Sequence, residues 1–168
     1  MRRLLIATFV LGLAACGQGA GRPQEAAGGG NCALLTDANA IFGADVQAVG
    51  QRGIEGMDAT CQWTSADGAR SGEIVTYTAQ SLGSVTVQAK FDETVQKWDA
   101  QTETPLAAVE GLGDAAQIAT DLPGYQTQIV FRKGDTLVLV MGGSGDSAMS
   151  GEQIARAIAT QVAAGVAQ

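Results

Sequence analysis

The sequence contains no histidine, and this absence removes several kinds of chemistry at once. Ser-His-Asp and Cys-His catalysis both depend on an imidazole to accept and return a proton, and histidine is also the commonest metal ligand. Zinc sites take about four ligands, whereas the chain has three cysteines. The sequence therefore predicts no catalytic residue of these classes, no metal site and no cofactor.

Basic residues are scarce as well. Lysine and arginine number 10 against 17 acidic residues, which gives a net charge of −7. Two of the 10 basic residues, Arg2 and Arg3, lie in the first fifteen positions, so a chain without those positions carries a net charge of about −9. Nucleic-acid binding needs clustered basic side chains, and anionic lipid surfaces attract them. We expect neither nucleic acid as a partner nor electrostatic docking on lipid.

Long hydrophobic runs are also missing, apart from one short run near the start. Residues 4–13 are almost wholly apolar, but about 20 apolar residues are needed to cross a bilayer as a helix. Aromatic residues make up only 5% of the chain, while its apolar content of 46% is ordinary. We expect one domain of usual size, with a modest core rich in alanine.

The short apolar run stands in a recognisable order of features. A basic start, residues 1–3, precedes it, and Leu13-Ala14-Ala15-Cys16 follows it. This segment resembles the lipobox of bacterial lipoproteins. The resemblance implies that residues 1–15 are a removable signal peptide and that Cys16 is lipidated, with acyl chains such as palmitate holding the protein to a membrane of the cell envelope. The alternative is a conventional signal peptide cut elsewhere, with Cys16 left as an ordinary thiol.

The residue after the lipobox cysteine bears on the membrane that receives the protein. Gly17 resembles the sorting position of lipoproteins held on the periplasmic side of the outer membrane, if the organism has two membranes. Residues 16–31 are rich in glycine and alanine and are interpreted as a lipidated flexible tether, with an r.m.s. span of about 20 Å. A phosphate-binding loop at residues 28–30 is discounted because no strand precedes it and no Lys-Ser/Thr follows. Residues 32–168 then form a single domain.

With Cys16 assigned to lipid, Cys32 and Cys61 remain as a pair. An even number of cysteines in an exported domain favours a disulfide, because the compartment outside the cytoplasm is oxidising. Such a bond would join the first helix of the domain to a strand. Free or reactive thiols stay open as alternatives, although the Cys-x-x-Cys spacing of redox pairs is absent.

Periodicity along the domain predicts helices and strands in alternating groups. A first helix is expected to be capped by Thr36 and ended by Gly43, and a last helix to begin at a capping box of Ser150 and Gln153. The other expected elements are strands 46–51, 59–65 and 73–79, a helix over 84–98, a loop over 102–113, strands 116–120, 125–133 and 135–141, and a flexible loop over 142–149.

This order predicts the α+β class: an antiparallel sheet flanked by helices, in a two-layer or α/β/α sandwich, with an order of roughly α-β-β-β-α-β-β-β-α. The two halves look loosely alike, which suggests a duplication. The strings CALLT from Cys32, Cys61-Gln62-Trp63 and GLGDAA from Gly111 together resemble a group of small exported bacterial lipoproteins of unknown function, several of them PsbP-like sandwiches. The resemblance covers residues 32–164; it implies fold and compartment and carries over no catalytic residue.

Several patterns resemble functional motifs and are interpreted as structural. The string GGSGD from Gly142 lacks the final glycine of a nucleophile elbow, and Gly111-x-Gly113-x-x-Ala116 precedes a strand where a dinucleotide fingerprint would open a helix. The carboxylates considered as acid, base or calcium ligands are expected at the solvated surface, and the two tryptophans in the core; these residues are Asp92, Glu93, Asp114, Asp121, Trp63 and Trp98.

The sequence thus favours a membrane-anchored lipoprotein of the cell envelope whose domain is not an enzyme and binds an envelope protein or a small ligand. The alternative is a carboxylate-dependent hydrolase acting on envelope glycans.

Overall fold

A computed structural model describes residues 30–53, 56–124 and 127–167. The predicted signal peptide, Cys16 and residues 17–29 of the predicted tether lie outside the described residues, as do Tyr125 and Gln126 of one predicted strand. Within the described ranges, no helix has the length and apolar character needed to cross a membrane.

The domain contains helices and one sheet, which places it in the α+β class as predicted. A 3₁₀ turn spans Asn31–Leu34, and the helices are α1 Ala38–Phe42, α2 Ala79–Leu82, α3 Val87–Asp99 and α4 Gly151–Gly165. The strands are β1 Gln47–Arg52, β2 Ala59–Thr64, β3 Arg70–Thr78, β4 Ala107–Ala108, β5 Ala115–Ala119, β6 Thr127–Lys133 and β7 Thr136–Ser144.

The seven strands of the described ranges form one antiparallel sheet in the order β1-β2-β3-β7-β6-β5-β4. Neighbours in sequence are neighbours in the sheet, except where β3 pairs with β7 at the centre. The β6–β7 hairpin turns over Gly134, at φ +55°, and Asp135, as the Lys-Gly-Asp pattern predicts. The β3–β7 pair runs in register over nine residues, from Arg70 opposite Ser144 to Thr78 opposite Thr136.

Side chains alternate between two apolar clusters on opposite faces of this sheet. On β6, Ile129 and Phe131 belong to the cluster that contains α1 and α4, whereas Val130 belongs to the cluster that contains α3. We call these the α4 face and the α3 face. Because the central strands contribute to both clusters, they read as continuous apolar runs rather than as an alternating pattern.

Helix α4 packs on the sheet through two glycines that lie opposite each other, Gly72 on β3 and Gly142 on β7. A Cβ at Gly72 would lie 2.5 Å from Ile158 Cδ1, and the space above it is filled by Ile158 and Phe42. The Phe42 ring stacks on Trp63 with centroids 6.4 Å apart. The absence of a side chain at these two glycine positions therefore lets α1 and α4 approach the sheet closely.

The predicted capping of the last helix is confirmed, and that of the first is wrong by one residue. Ser150 accepts a hydrogen bond from the Gln153 amide, and the Gln153 side chain accepts one from the Ser150 amide. In α1 the cap is Asp37, whose carboxylate accepts from the Ala40 amide at 3.1 Å. The Thr36 hydroxyl instead donates to the Gln161 side chain on α4. This contact with a distant helix uses the hydroxyl that the local pattern predicted as the cap.

Other boundaries also differ from the sequence prediction, including the start of β3 at Arg70 instead of Glu73. The predicted loop from Gly142 is still strand until Ser144, because β7 continues to pair with the start of β3. Ala79 was predicted as the last residue of a strand, but it is the first residue of α2. Helix α3 was predicted to begin at Ser84, but it begins at Val87, after its cap Thr86. The predicted loop over 102–113 contains the short strand β4.

The suggested duplication does not agree with the placement of the helices. A two-fold rotation relating β3 to its antiparallel neighbour β7 is perpendicular to the sheet and leaves each face on its own side. In each predicted half a helix comes before its strands: α1 precedes β1–β3 and α3 precedes β5–β7, and these two helices contribute to the apolar clusters on opposite faces. Such a rotation therefore cannot superpose the two halves.

Candidate ligand-binding groove

A groove of about 520 Å³ opens where the turn over residues 111–114 meets the C-terminal half of α4. The groove is lined by the turn, by Lys133 at the end of β6, and by Thr160, Ala163 and Ala164 of α4. Its volume falls in the range of sites for small molecules. The walls come from segments about 50 residues apart, so only the folded chain brings them together.

The turn has its shape because two glycines flank a buried leucine. Gly111 has φ +81° and Gly113 φ +146°, both outside the region that other residues adopt readily. A Cβ at Gly113 would lie 2.5 Å from the Arg132 carbonyl oxygen. Leu112 between them is 5% exposed and inserts into the cluster beneath α4. The two glycines therefore serve a tight turn, as predicted, and β5 follows them at Ala115.

The charged groups beside the groove are held by neighbours in the fold. The Asp114 carboxylate lies 3.0 Å from Arg132 Nη1 and accepts a hydrogen bond from the Gly134 amide at 2.9 Å. The Lys133 ammonium donates to the Ala163 carbonyl at 2.8 Å, in the last turn of α4. That carbonyl has no partner within its own helix, so Lys133 satisfies it and complements the helix dipole.

The groove retains some capacity to bind a ligand. An ammonium has three protons and Lys133 uses one in the contact with Ala163. The carboxylate of Asp114 uses one oxygen, Oδ2, in both of its contacts. One cationic donor and one carboxylate acceptor thus lie beside the small side chains of Thr160, Ala163 and Ala164. This combination suits a small ligand that carries both hydrogen-bond donors and acceptors.

A second polar region lies on the α3 face, across β1, β2 and β3. Glu73 is placed on this face between Gln62 of β2 and Met141 of β7. Burial raises the pKa of the Glu73 carboxyl, since the charged form is poorly solvated there. The sequence predicted Glu73 only as a residue of a strand, because period-two alternation shows which face a residue takes but not how far its side chain is buried.

The cysteine pair lies apart from both regions. Cys32 and Cys61 are joined by a disulfide with their Cα atoms 5.1 Å apart. Cys61 is fully buried on β2, the strand end of the predicted bond. Cys32 lies in the 3₁₀ turn, whereas the sequence had predicted that it would lie in the first helix. The bond therefore ties the start of the described chain to the second strand of the sheet.

The motif-like patterns have structural roles in the fold. The Ser144 hydroxyl accepts from the Asp146 amide and donates to the Asp146 carbonyl, so it closes a turn. Trp63 and Trp98 are buried in the clusters on the α4 face and the α3 face respectively, as predicted.

The considered carboxylates do not converge on one site. Asp92 accepts from Gln88, Glu93 pairs with Lys90, and Asp121 accepts from the Thr104 amide. Across the ranges that the structure describes, no three Cys, Asp or Glu side chains lie together in a way that could hold a metal ion.

Comparison with known proteins gives no match: the sequence matches no family model, no curated protein and no solved structure.

Proposed function

We propose that the chain is an exported lipoprotein of the cell envelope, anchored through acyl chains on Cys16, whose domain is a binding module. The anchor is supported by the order of basic start, apolar run, small residues and cysteine, and by the resemblance to small exported lipoproteins. One short acyl chain holds a protein only marginally, whereas the two or three chains of a lipobox cysteine give stable attachment. Electrostatic attraction to anionic lipid is unfavourable at this net charge.

The anchor is tested by Cys16→Ser in the full chain. We expect the variant to keep its signal peptide or to be released from the membrane fraction, since no thiol remains to accept the diacylglyceryl group. Cell fractionation and gel mobility measure both outcomes. A Cys16→Ser protein that is shortened, membrane-bound and unchanged in mobility would contradict the anchor.

The binding role rests on the groove between the turn at 111–114 and α4. It carries an ammonium and a carboxylate, each with hydrogen-bonding capacity left after its contacts within the fold. Small ligands bind in concave sites with a few polar groups that fix their orientation. We infer that the groove takes a small envelope constituent with both donors and acceptors, such as a short peptide or a peptide-bearing glycan fragment.

Amide chemical shifts test the groove directly. The full chain is titrated with short peptides, muropeptides and lipid headgroups, and we expect shifts at Gly111, Gly113 and Gly134 with one class of ligand. Ala164→Arg fills the groove from an exposed position and should abolish those shifts. Ala100→Arg, at the exposed end of α3, is the matched control and should leave them unchanged. Shifts that survive Ala164→Arg, or none with any class, would contradict the proposal.

We further infer that the domain is a three-layer α/β/α arrangement with α4 and α1 on one side of the sheet and α3 on the other. The two separate apolar clusters support this layering. In this layering the groove lies beside the C-terminal half of α4, where a ligand can reach it from solvent.

One observation favours the alternative of a carboxylate-dependent glycan hydrolase. Glu73 is half-buried on a polar face and its pKa is raised, as in a carboxyl group that donates a proton. Glycoside hydrolysis also needs a second carboxylate near the first, and the flanking positions on β2 and β7 are Gln62 and Met141. Turnover of an envelope glycan that Glu73→Gln abolishes would replace the binding role by this one.

A further inference from the structure

Strand β1 forms one edge of the sheet and pairs with β2 alone among the described strands. A free edge presents unpaired backbone N–H and C=O groups, and proteins usually protect such edges with proline, lysine or a bulge. β1 has none of these: its sequence is Gln-Ala-Val-Gly-Gln-Arg, and it pairs with β2 in an unbroken register of six residues. Within the part of the chain that the structure describes, the outer side of β1 is therefore unpaired and available to another strand.

The most exposed large apolar side chain of the described chain lies in the middle of this edge. Val49 is 60% exposed, and Gln47 and Gln51 beside it on the α3 face are exposed too. The 3₁₀ turn lies against the opposite face of β1, where Cys32 approaches Gly50. The 3₁₀ turn therefore packs on one face of β1 only, and the side chains on its α3 face stay exposed to solvent.

The sequence of β1 is self-complementary about Val49. Pairing two antiparallel copies with Val49 opposite Val49 places Gln47 opposite Gln51 on the same face. On the other face it places Ala48 opposite Gly50, so that small residues meet. A two-fold interface requires the same patch to fit itself in this way. Directly opposed Cβ atoms are about 5 Å apart, within reach of a valine–valine contact and of hydrogen bonds between glutamine amides.

Charge does not oppose this pairing. The only charged residue of β1 is Arg52 at its end. In the Val49-centred register the two arginines are offset by six positions, about 20 Å along the strands, which is more than two Debye lengths at physiological salt. The domain can therefore approach a second copy along this edge in spite of its overall negative charge.

We infer that β1 is a homodimerisation edge, at which two copies of this chain join their sheets about a two-fold axis through Val49. The partner is a second copy because the palindromic order Gln-small-Val-small-Gln fits itself. This inference does not depend on the groove, which lies at the other end of the sheet order near β5 and β6.

Cysteine crosslinking in the full chain tests the pairing. Val49→Cys, oxidised mildly in intact cells, should give a product of twice the chain mass that a reductant reverses. Val85→Cys is the matched control, since Val85 is also exposed, at 43%, but precedes α3 away from the edge. Val49→Cys crosslinking no better than Val85→Cys, or giving a product of another mass, would overturn the inference.

The register is tested by two further variants. Gln47→Cys and Gln51→Cys should each crosslink poorly alone and well when the two chains are expressed together, because only the mixed pair is directly opposed. Val49→Lys places two like charges directly opposite each other, so it should reduce the dimer fraction in sedimentation about tenfold, while Val85→Lys leaves it unchanged. Equal crosslinking in the single and mixed cells, or a dimer that persists in Val49→Lys, would contradict the Val49-centred pairing.

Discussion

Replacing Gly142 by alanine tests how closely α4 is held against the sheet. The added Cβ would lie 2.7 Å from the Ala155 amide nitrogen and closer still to the Gly151 carbonyl oxygen. Both are backbone atoms of α4, so neither can turn away as a side chain would. The first turn of the helix must move off β7 by several tenths of an ångström, and Ile154 and Ile158, both fully buried, must move with it.

The expected loss follows from this geometry. Overpacking a well-filled core destabilises by about 1–3 kcal/mol, and we expect the upper end because the obstructing atoms are backbone. A neighbouring control is available in Gly143→Ala, whose Cβ would meet only the Ser71 hydroxyl, at 2.8 Å. That side chain is exposed and can rotate, and alanine lowers the entropy of the unfolded chain, so the control should change stability by less than about 1 kcal/mol.

Urea unfolding of the two variants measures the difference. With a slope of about 2 kcal/mol per molar urea, a loss of about 3 kcal/mol lowers the midpoint by roughly 1.5 M for Gly142→Ala, and the control should stay within about 0.5 M of the parent chain. Equal midpoints for the two variants would refute the close packing of α4 on β7 and would favour the flexible loop that the sequence had predicted from Gly142.

Three further predictions concern the disulfide, the α3 face and the groove. Replacing both Cys32 and Cys61 by alanine opens a loop with a sequence separation of 29 and should reduce the free energy of unfolding by about 3.5 kcal/mol; a reductant should lower the parent midpoint and leave the variant unchanged, and a parent indifferent to reductant would contradict the bond. Because the pKa of Glu73 is raised in the folded state, the native chain binds more protons than the unfolded chain just above the ordinary glutamate pKa, so stability falls as pH rises through that window; Glu73→Gln should therefore gain stability relative to the parent at about pH 7 compared with about pH 4, and a pH-independent difference would refute this. Gly113→Ala should unfold about 2–3 kcal/mol more easily, because its Cβ would meet the Arg132 carbonyl. A Cβ at Gly111 would meet no atom within 4 Å, so Gly111→Ala should lower the free energy of unfolding only by the cost of its unfavourable φ, about 1–2 kcal/mol. Calorimetry of the two variants measures the difference between these losses.

Local signals in the sequence predicted the elements that depend on neighbours in the chain. The capping box of Ser150 and Gln153 involves residues three apart, and the period of α4 continues from it without interruption. The Gly134 turn is likewise specified by adjacent residues. These elements are present in the structure within one or two residues of the predicted bounds.

The errors arise where a distant contact decides the local structure. Thr36 is a good cap by type, but its hydroxyl contacts Gln161 on α4 and Asp37 takes the capping role. Gly142 and Gly143 lack strand propensity, but pairing with Ser71 and Gly72 holds them in β7. A propensity difference of about 1 kcal/mol is smaller than what a ladder of hydrogen bonds and a packed helix supply.

The groove, too, could be predicted only where its structure depends on neighbouring residues in the chain. Gly111 and Gly113 were predicted as turn glycines from their neighbours, and in the structure both lie in a turn and have a positive φ. Lys133, Thr160 and Ala164 carried no signal, because their role depends on where the end of α4 meets the end of β6. The order of strands in the sheet, with β7 inserted beside β3, is the non-local fact that brings these segments together.

The mass of the protein recovered from cell membranes tests the central proposal most directly. We expect a chain that begins at Cys16, lacks residues 1–15, and carries the added mass of a diacylglyceryl group, with or without an N-linked acyl chain. A chain that begins at any other residue, with Cys16 absent or present as a free thiol, would contradict the lipid anchor.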